Sequence, residues 1–152
     1  MLNANRDQLC HSARTKMEAA NALVSGRPPH PTPAVYLSHV ALECALKRLI
    51  LIKNGAEKVN DLRRYLPQAD IDRLFTGTTG HNLHLLEQTA GLRRYLTASG
   101  DESFLTHRAW RNMGGERPYS LRYGFETVTL ESAKGEVQFA RRLTDLILQE
   151  AT

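Results

Sequence analysis

Cysteine is scarce in this chain of 152 residues, with Cys10 and Cys44 as its two examples. Neither belongs to a CxxC pair, so the spacing offers no cysteine-based zinc site. A disulfide between them is compatible with the sequence but unnecessary, because a chain of this length buries about 68–70% of its unfolded surface without covalent staples. Cys44 stands in an apolar run, and we expect it to be a small core residue.

Long hydrophobic runs and secretory features are also lacking. No segment approaches the roughly 18 consecutive apolar residues of a membrane span, and the N-terminus MLNANRDQLCH has no apolar signal-peptide core. The composition, 41% hydrophobic and 24% charged with a formal charge of +4, excludes a disordered chain. We therefore expect a single globular domain over residues 1–152 that is cytoplasmic and has no membrane partner.

The familiar motifs of nucleotide, metal and nucleophile chemistry are missing. There is no GxGxxG, GxxxxGK[ST], HExxH or GxSxG. His81 and His84 (i, i+3) and the pair His39 and Glu43 (i, i+4) have helical ligand spacing, but no histidine follows a glutamate by three residues, as di-metal bundles require. We expect no metal and no cofactor. The simpler interpretation is that His81 packs a helix start, while His39, Glu43 and Lys47 form an exposed or semi-exposed polar stripe.

Hydrophobic spacing of three and four residues dominates the chain and indicates helices. The first helix carries one apolar stripe, formed by Leu9, Ala13, Met17, Ala20 and Val24. The second is apolar around most of its circumference and should therefore be central. Four long helices are predicted, over residues 5–24, 34–53, 81–96 and 126–150. Short helices are predicted over 61–66, 69–75 and 101–111, followed by a long connection over 113–124. The predicted fold is an all-α, up-and-down bundle of four long helices plus short ones.

Arginine is abundant, with 15 residues against 5 lysines. It is concentrated in residues 108–123, which also contain aromatic residues and which we call the arginine-rich segment. The arginines and aromatic residues of this segment are Arg108, Trp110, Arg111, Arg117, Tyr119, Arg122 and Tyr123. Arginine beside aromatic rings suits phosphate contact combined with base stacking. The structural alternative is that Arg–carboxylate pairs hold the segment to the bundle, with the aromatic rings half-buried.

The order of these features resembles the HEPN family of small helical-bundle proteins. The resemblance spans roughly residues 34–148 and rests on AVYLSHVALECALKRLILIKNGA, GHNLHLL and RPYSLRYG leading into ETVTLESAKGEVQFARRLTDLI. It implies an up-and-down bundle and a homodimer with its groove at the dimer interface. Family members include toxins and defence proteins, many of them metal-independent ribonucleases, and partners of nucleotidyltransferases.

The catalytic signature of the family is Arg, four to six residues, then His near the start of the late helix, where His moves protons and Arg stabilises phosphate charge. Arg111 resembles the opening of this signature, but Glu116, Arg117 and Pro118 occupy the positions where His would fall. One formal match occurs elsewhere, from Arg6 to His11 on the first helix, where chance also explains it.

The leading hypothesis is a catalytically degenerate HEPN-like module of a toxin or defence system that binds RNA or nucleotide. Arg111, Arg117 and Arg122 would contact phosphate, and Tyr119 and Tyr123 would stack or position the ligand. His81 is a weaker candidate, because it starts the helix expected near this segment.

Two alternatives remain open. The first is a divergent metal-independent ribonuclease that uses Arg6 and His11. The second is an interaction module that docks a nucleotidyltransferase-like partner.

Overall fold

The computed structural model describes residues 3–76, 81–113 and 117–149, and this part of the chain is all-α. The α-helices are α1 (Arg6–Ser25), α2 (Pro31–Lys53), α3 (Gln68–Phe75), α4 (Leu83–Ala90), α5 (Leu92–Ser99), α6 (Arg108–Arg111), α7 (Arg117–Arg122) and α8 (Leu130–Leu148). Two 3₁₀ segments cover Val59–Arg64 and Glu102–Thr106. Within the described ranges no strand forms, although an isolated bridge pairs Asn5 with Lys58.

Helix α1 begins where local chemistry favours a helix start. The Asn5 side chain accepts a hydrogen bond from the backbone N–H of Gln8, and the Gln8 side chain accepts one from the backbone N–H of Asn5. This reciprocal capping satisfies two of the donors that a helix N-terminus leaves without partners. The predicted apolar stripe is confirmed, because all five of its residues are buried.

Helix α2 is the central element, as its apolar circumference predicts. It begins at Pro31, three residues before the predicted start, because proline fits the first turn of a helix. It packs against α1, α8, α4 and α7. Its four fully buried leucines each contribute about 1.5–3 kcal/mol of transfer free energy: Leu42, Leu46, Leu49 and Leu51. The helix ends at Lys53, with Asn54 as its C-cap and Gly55, with φ of 66°, after it.

The predicted long helix over 81–96 is broken into α4 and α5, which is a correction to the four-helix expectation. Gly91 separates them with φ of 65°, a left-handed conformation that side chains other than glycine rarely adopt. A Cβ at this position would also lie 2.7 Å from the Nζ of Lys53, which donates to the carbonyl oxygen of Gly91. In the described residues, only α1, α2 and α8 are long helices.

Short elements fill the rest of the chain between α2 and α8. The predicted split at Pro67 is confirmed, with a 3₁₀ segment before it and α3 after it. The predicted helix over 101–111 is divided into a 3₁₀ segment and α6, with His107 between them. The predicted connection over 113–124 contains α7, whose Pro118 and Leu121 are buried. We call the described residues of 59–125 the short-helix region.

Helix α8 completes the apolar core. Thr129 caps its first turn by accepting a hydrogen bond from the backbone N–H of Ser132. Residue spacing predicts one apolar face on this helix, formed by Leu130, Ala133, Val137, Ala140 and Ile147. Leu130 is partly buried, and the other four are buried. Cys44 is buried as predicted, and both cysteines are free. Among the helices that the structure describes, none is long and apolar enough to cross a lipid bilayer.

Candidate nucleic-acid interface

Arg117 anchors α7 to α8. Its Nε donates to Glu126 at 2.8 Å, its Nη2 donates to Glu136 at 2.9 Å, and its Nη1 donates to the other oxygen of Glu136. Burial alone lowers the pKa of Arg117, but the hydrogen bonds to Glu136 and Glu126 outweigh it and raise the pKa above its ordinary value. The guanidinium is therefore engaged by carboxylates, as the structural alternative describes, and its side chain is 14% exposed.

His39 is a buried neutral imidazole on α2. Burial, and then the positive charge of Arg117, lower its pKa from 6.5 to about 3. Neither ring nitrogen has a hydrogen-bond partner among the residues that the structure describes. The histidine is therefore uncharged in the folded protein at neutral pH.

The polar stripe of α2 is buried, so the prediction that it is exposed or semi-exposed is wrong. The ammonium of Lys47, which is 1% exposed, donates to Glu43 at 3.0 Å and lies 5.8 Å from the ring centroid of Phe75 on α3. The other oxygen of Glu43 accepts a hydrogen bond from Nδ1 of His81, just before α4. The predicted i, i+4 pair between Glu43 and Lys47 does form, but the short-helix region covers it.

His81 is therefore positioned by Glu43 rather than by the arginine-rich segment. Its side chain remains 52% exposed, which leaves part of the ring open to solvent. The described contacts give it a role in joining the start of α4 to α2. They do not join it to Tyr119, Arg122 or Tyr123.

An exposed cluster of aromatic rings lies on α7 and the turn that follows it. The rings of Tyr119 and Tyr123 lie 4.6 Å apart, and both lie 6.2–6.3 Å from the ring of Phe125. The exposed fractions of these residues are 49%, 53% and 75%. The guanidinium carbon of Arg122 lies 5.5 Å from the ring centroid of Tyr123. We call Tyr119, Arg122, Tyr123 and Phe125 the aromatic patch.

Phe125 also belongs to this patch, although it is not among the candidate residues of the sequence. It stands between Gly124 and Glu126, just past residues 108–123. Its backbone N–H donates to the carbonyl oxygen of Ser120, which folds the chain back onto α7. The sequence feature that could have identified it is a phenylalanine in an otherwise polar turn.

Trp110 and Arg111 are adjacent in α6 but differ in environment. Trp110 is buried, its ring lies 5.0 Å from the ring of His84, and its carbonyl oxygen accepts a hydrogen bond from Nε2 of His84. It therefore holds α6 against α4 and is not open for base stacking. Arg111 is exposed, and no hydrogen bond or ion pair of the described residues engages its side chain. Arg108 is also exposed and lines a cleft beside α8.

Arg6 and His11 lie on α1, away from the late helix in the chain. The Nε of Arg6 donates to the carbonyl oxygen of Ala56 at 2.8 Å and lies 3.6 Å from a carboxylate oxygen of Glu57. His11 is exposed, with its Nε2 at 3.5 Å from the hydroxyl of Thr15. Arg6 thus ties the turn after α2 to α1, and no described contact joins it to His11.

No group of three or more His, Cys, Asp and Glu side chains is placed to hold a metal ion within residues 3–76, 81–113 and 117–149. Comparison of the chain with protein-family models, with curated proteins and with solved structures finds no match.

Proposed function

We propose that this chain is a HEPN-like protein of a toxin or defence system that binds single-stranded RNA through the aromatic patch. The observation that carries the proposal is the contact among three exposed rings, with the Arg122 guanidinium beside one of them. The all-α fold, the central apolar helix α2 and the resemblance of residues 34–148 to HEPN proteins support it.

The patch has the two kinds of group with which proteins bind single-stranded RNA, namely aromatic rings and a guanidinium. Stacking of a base on an aromatic side chain contributes about 1–3 kcal/mol and tolerates any base, because every base has a π-face. Arg122 offers a guanidinium to the backbone phosphates, and exposed Arg111 offers a second one. Arg117 is predicted from the sequence to contact phosphate, but its guanidinium donates hydrogen bonds to Glu126 and Glu136. In this proposal Arg117 therefore positions α7 and does not bind phosphate.

The proposal includes no cleavage step. Arg117 and Pro118 stand where the late-helix signature would place histidine, and Glu116 lies outside the described residues. We therefore expect RNA to be recovered intact after incubation with the protein. Gel electrophoresis of the RNA, with and without added metal, would measure this directly.

Stacking is tested by anisotropy titration of a labelled oligouridylate with the native chain and with Tyr119→Ala and Tyr123→Ala. Each substitution should weaken binding about tenfold, since it removes roughly 1.4 kcal/mol of stacking. Tyr65→Ala is the matched control, because Tyr65 is 54% exposed but lies before α3. The proposal fails if the native chain does not bind, or if Tyr65→Ala weakens binding equally.

Phosphate contact is tested by the salt dependence of the same titration. Arg122→Ala should reduce the slope of log affinity against log salt by about 0.7, the value for one phosphate of a single strand. Arg64→Ala, an exposed arginine outside the patch, should leave the slope unchanged.

The homodimer implied by the family resemblance is part of the proposal, and it is measured separately by sedimentation. If the patch instead serves as a contact between two copies of this chain, Phe125→Asp will lower the sedimenting mass and leave RNA affinity unchanged. A stable complex with a nucleotidyltransferase-like protein that survives the tyrosine substitutions would favour the interaction-module alternative.

A further inference from the structure

A second surface with binding chemistry lies between the residues around α6 and one face of α8. It is a cleft of about 580 Å³, within the range of about 300–1,000 Å³ typical of small-molecule sites. The residues that carry the argument are Phe104, His107, Arg108, Asn112, Phe139 and Arg142. None of them belongs to the aromatic patch.

The cleft carries uncompensated positive charge. Arg108 and Arg142 are exposed, and no ion pair among the described residues involves either guanidinium. Glu136 also lines the cleft, but both its oxygens accept hydrogen bonds from Arg117. Two arginine forks that no carboxylate of the described residues engages favour an anion with several oxygens, and phosphate has that geometry.

The same cleft has an aromatic wall. The ring of His107 stacks on the ring of Phe139 with centroids 4.6 Å apart and an interplanar angle of 27°. The ring of Phe104 lies 5.6 Å from Phe139, and the guanidinium carbon of Arg142 lies 5.7 Å from the centroid of Phe104. A flat ligand ring can therefore contact exposed His107 and half-buried Phe104, beside an arginine.

The orientation of His107 is set by the backbone. Its Nδ1 accepts a hydrogen bond from the backbone N–H of Ala109 at 3.0 Å. In the neutral ring the proton is therefore on Nε2, which becomes a hydrogen-bond donor. Asn112, which is exposed at the same cleft, adds a side-chain amide with both a donor and an acceptor.

We propose that this cleft binds a nucleoside monophosphate, either as a free nucleotide or as the phosphorylated end of an RNA strand. The phosphate lies between Arg108 and Arg142, and the base contacts the ring wall of His107 and Phe104. The proposal goes beyond RNA binding at the aromatic patch, and it stands if that function fails, because its probe is a free nucleotide.

The test uses calorimetric titration of the full chain with adenosine 5′-monophosphate, inorganic phosphate and adenosine. The nucleotide should bind more tightly than either of its parts, because it alone uses both the arginines and the ring wall. Absence of nucleotide binding, or equal binding of inorganic phosphate, would overturn the proposal.

Substitutions locate the site. Arg108→Gln and Arg142→Gln should each weaken nucleotide binding about tenfold, the effect of losing a charged hydrogen bond. Arg141→Gln is the matched control, because Arg141 is the exposed neighbour of Arg142 on α8 and does not line the cleft. An equal loss in Arg141→Gln would assign the effect to general charge and refute the cleft.

Two further experiments distinguish this site from the aromatic patch and identify the source of the phosphate. Tyr119→Ala should leave nucleotide binding unchanged, and a loss there would place the nucleotide at the patch and reject the cleft. Competition by a 5′-phosphorylated RNA, but not by its 5′-hydroxyl form, would identify the strand end as the ligand. Nucleotide binding without such competition would identify the free nucleotide.

Discussion

The three long helices and the short-helix region are held to the core in different ways. Helices α1, α2 and α8 bury apolar side chains along continuous faces, and this burial is non-directional. The short-helix region also buries apolar side chains in this core, among them Leu74 and Leu86, and directional polar contacts hold it as well, such as Arg117 with Glu136. Both candidate ligand surfaces draw their exposed groups largely from this second region.

This difference between the two regions helps to explain why the aromatic patch lies on α7 and the turn that follows it. A long amphipathic helix commits one face to the core and gains stability from every turn. The six-residue helix α7 buries Pro118 and Leu121, and Arg117 adds three charged hydrogen bonds to two carboxylates. Its other side chains, including Tyr119 and Arg122, remain available to solvent.

The largest expected effect is at the buried contact between the two regions. Glu43→Gln leaves the ammonium of Lys47 buried without a carboxylate, and we expect a loss of about 3 kcal/mol in the free energy of unfolding. Urea denaturation measures it. Asp70→Asn is the control, since Asp70 pairs with Arg73 at the surface and should cost below about 1 kcal/mol. Equal losses in the two variants would show that burial of the Glu43 pair has no special cost.

A smaller effect is expected where α7 is anchored. Arg117→Met removes the hydrogen bonds to Glu126 and Glu136, and we expect a loss of about 2 kcal/mol. Hydrogen exchange should accelerate more in the amides of α7 than in those of α2, because the anchor is local. Arg122→Met, at an exposed position on the same helix, should change neither. Uniform acceleration throughout the chain would contradict a separable short-helix region.

The remaining effect is seen only as a dependence of the free energy of unfolding on pH. The pKa of His39 is about 3 in the folded chain against an ordinary 6.5, so between these values the unfolded state binds a proton that the native state does not. The free energy of unfolding should therefore fall with decreasing pH in this window, by about 1.4 kcal/mol per pH unit from this group.

His39→Leu tests that dependence, because it removes the titrating ring and keeps an apolar side chain in its place. Urea denaturation at about pH 7 and about pH 5 should show a smaller loss of stability in the variant than in the native chain. Exposed His11→Leu serves as the control and should retain the native slope. Equal slopes in the native chain and His39→Leu would contradict a neutral buried histidine.

The sequence predicts much of the long-helix architecture and less of the candidate site. Residue spacing locates the buried stripe of α1, the central position of α2 and most of the apolar face of α8, because each depends on periodicity within one helix. It also selects Tyr119, Arg122 and Tyr123, which are exposed together. It misses Phe125, and it does not separate partly buried Arg117 from exposed Arg111.

These failures share a physical cause. Whether the stripe of His39, Glu43 and Lys47 faces water depends on which element covers α2, and the residues that contact it come from α3, the start of α4 and α7. The break at Gly91 depends likewise on a backbone conformation packed against the Lys53 side chain. The stripe has no signature of its environment within its own segment, and the glycine at position 91 marks a weak point of its helix without fixing the break.

Sequence periodicity alone was sufficient to identify an all-α chain with α1, α2 and α8, because helix formation and amphipathicity are encoded over three to four residues. The roles of the arginines required the folded chain. Arg117 meets Glu136 across 19 positions, and only packing makes that pair a partly buried anchor while Arg108 and Arg122 stay exposed. The charge of a side chain is a local property, but its availability is set by the long-range partners that tertiary packing brings to it.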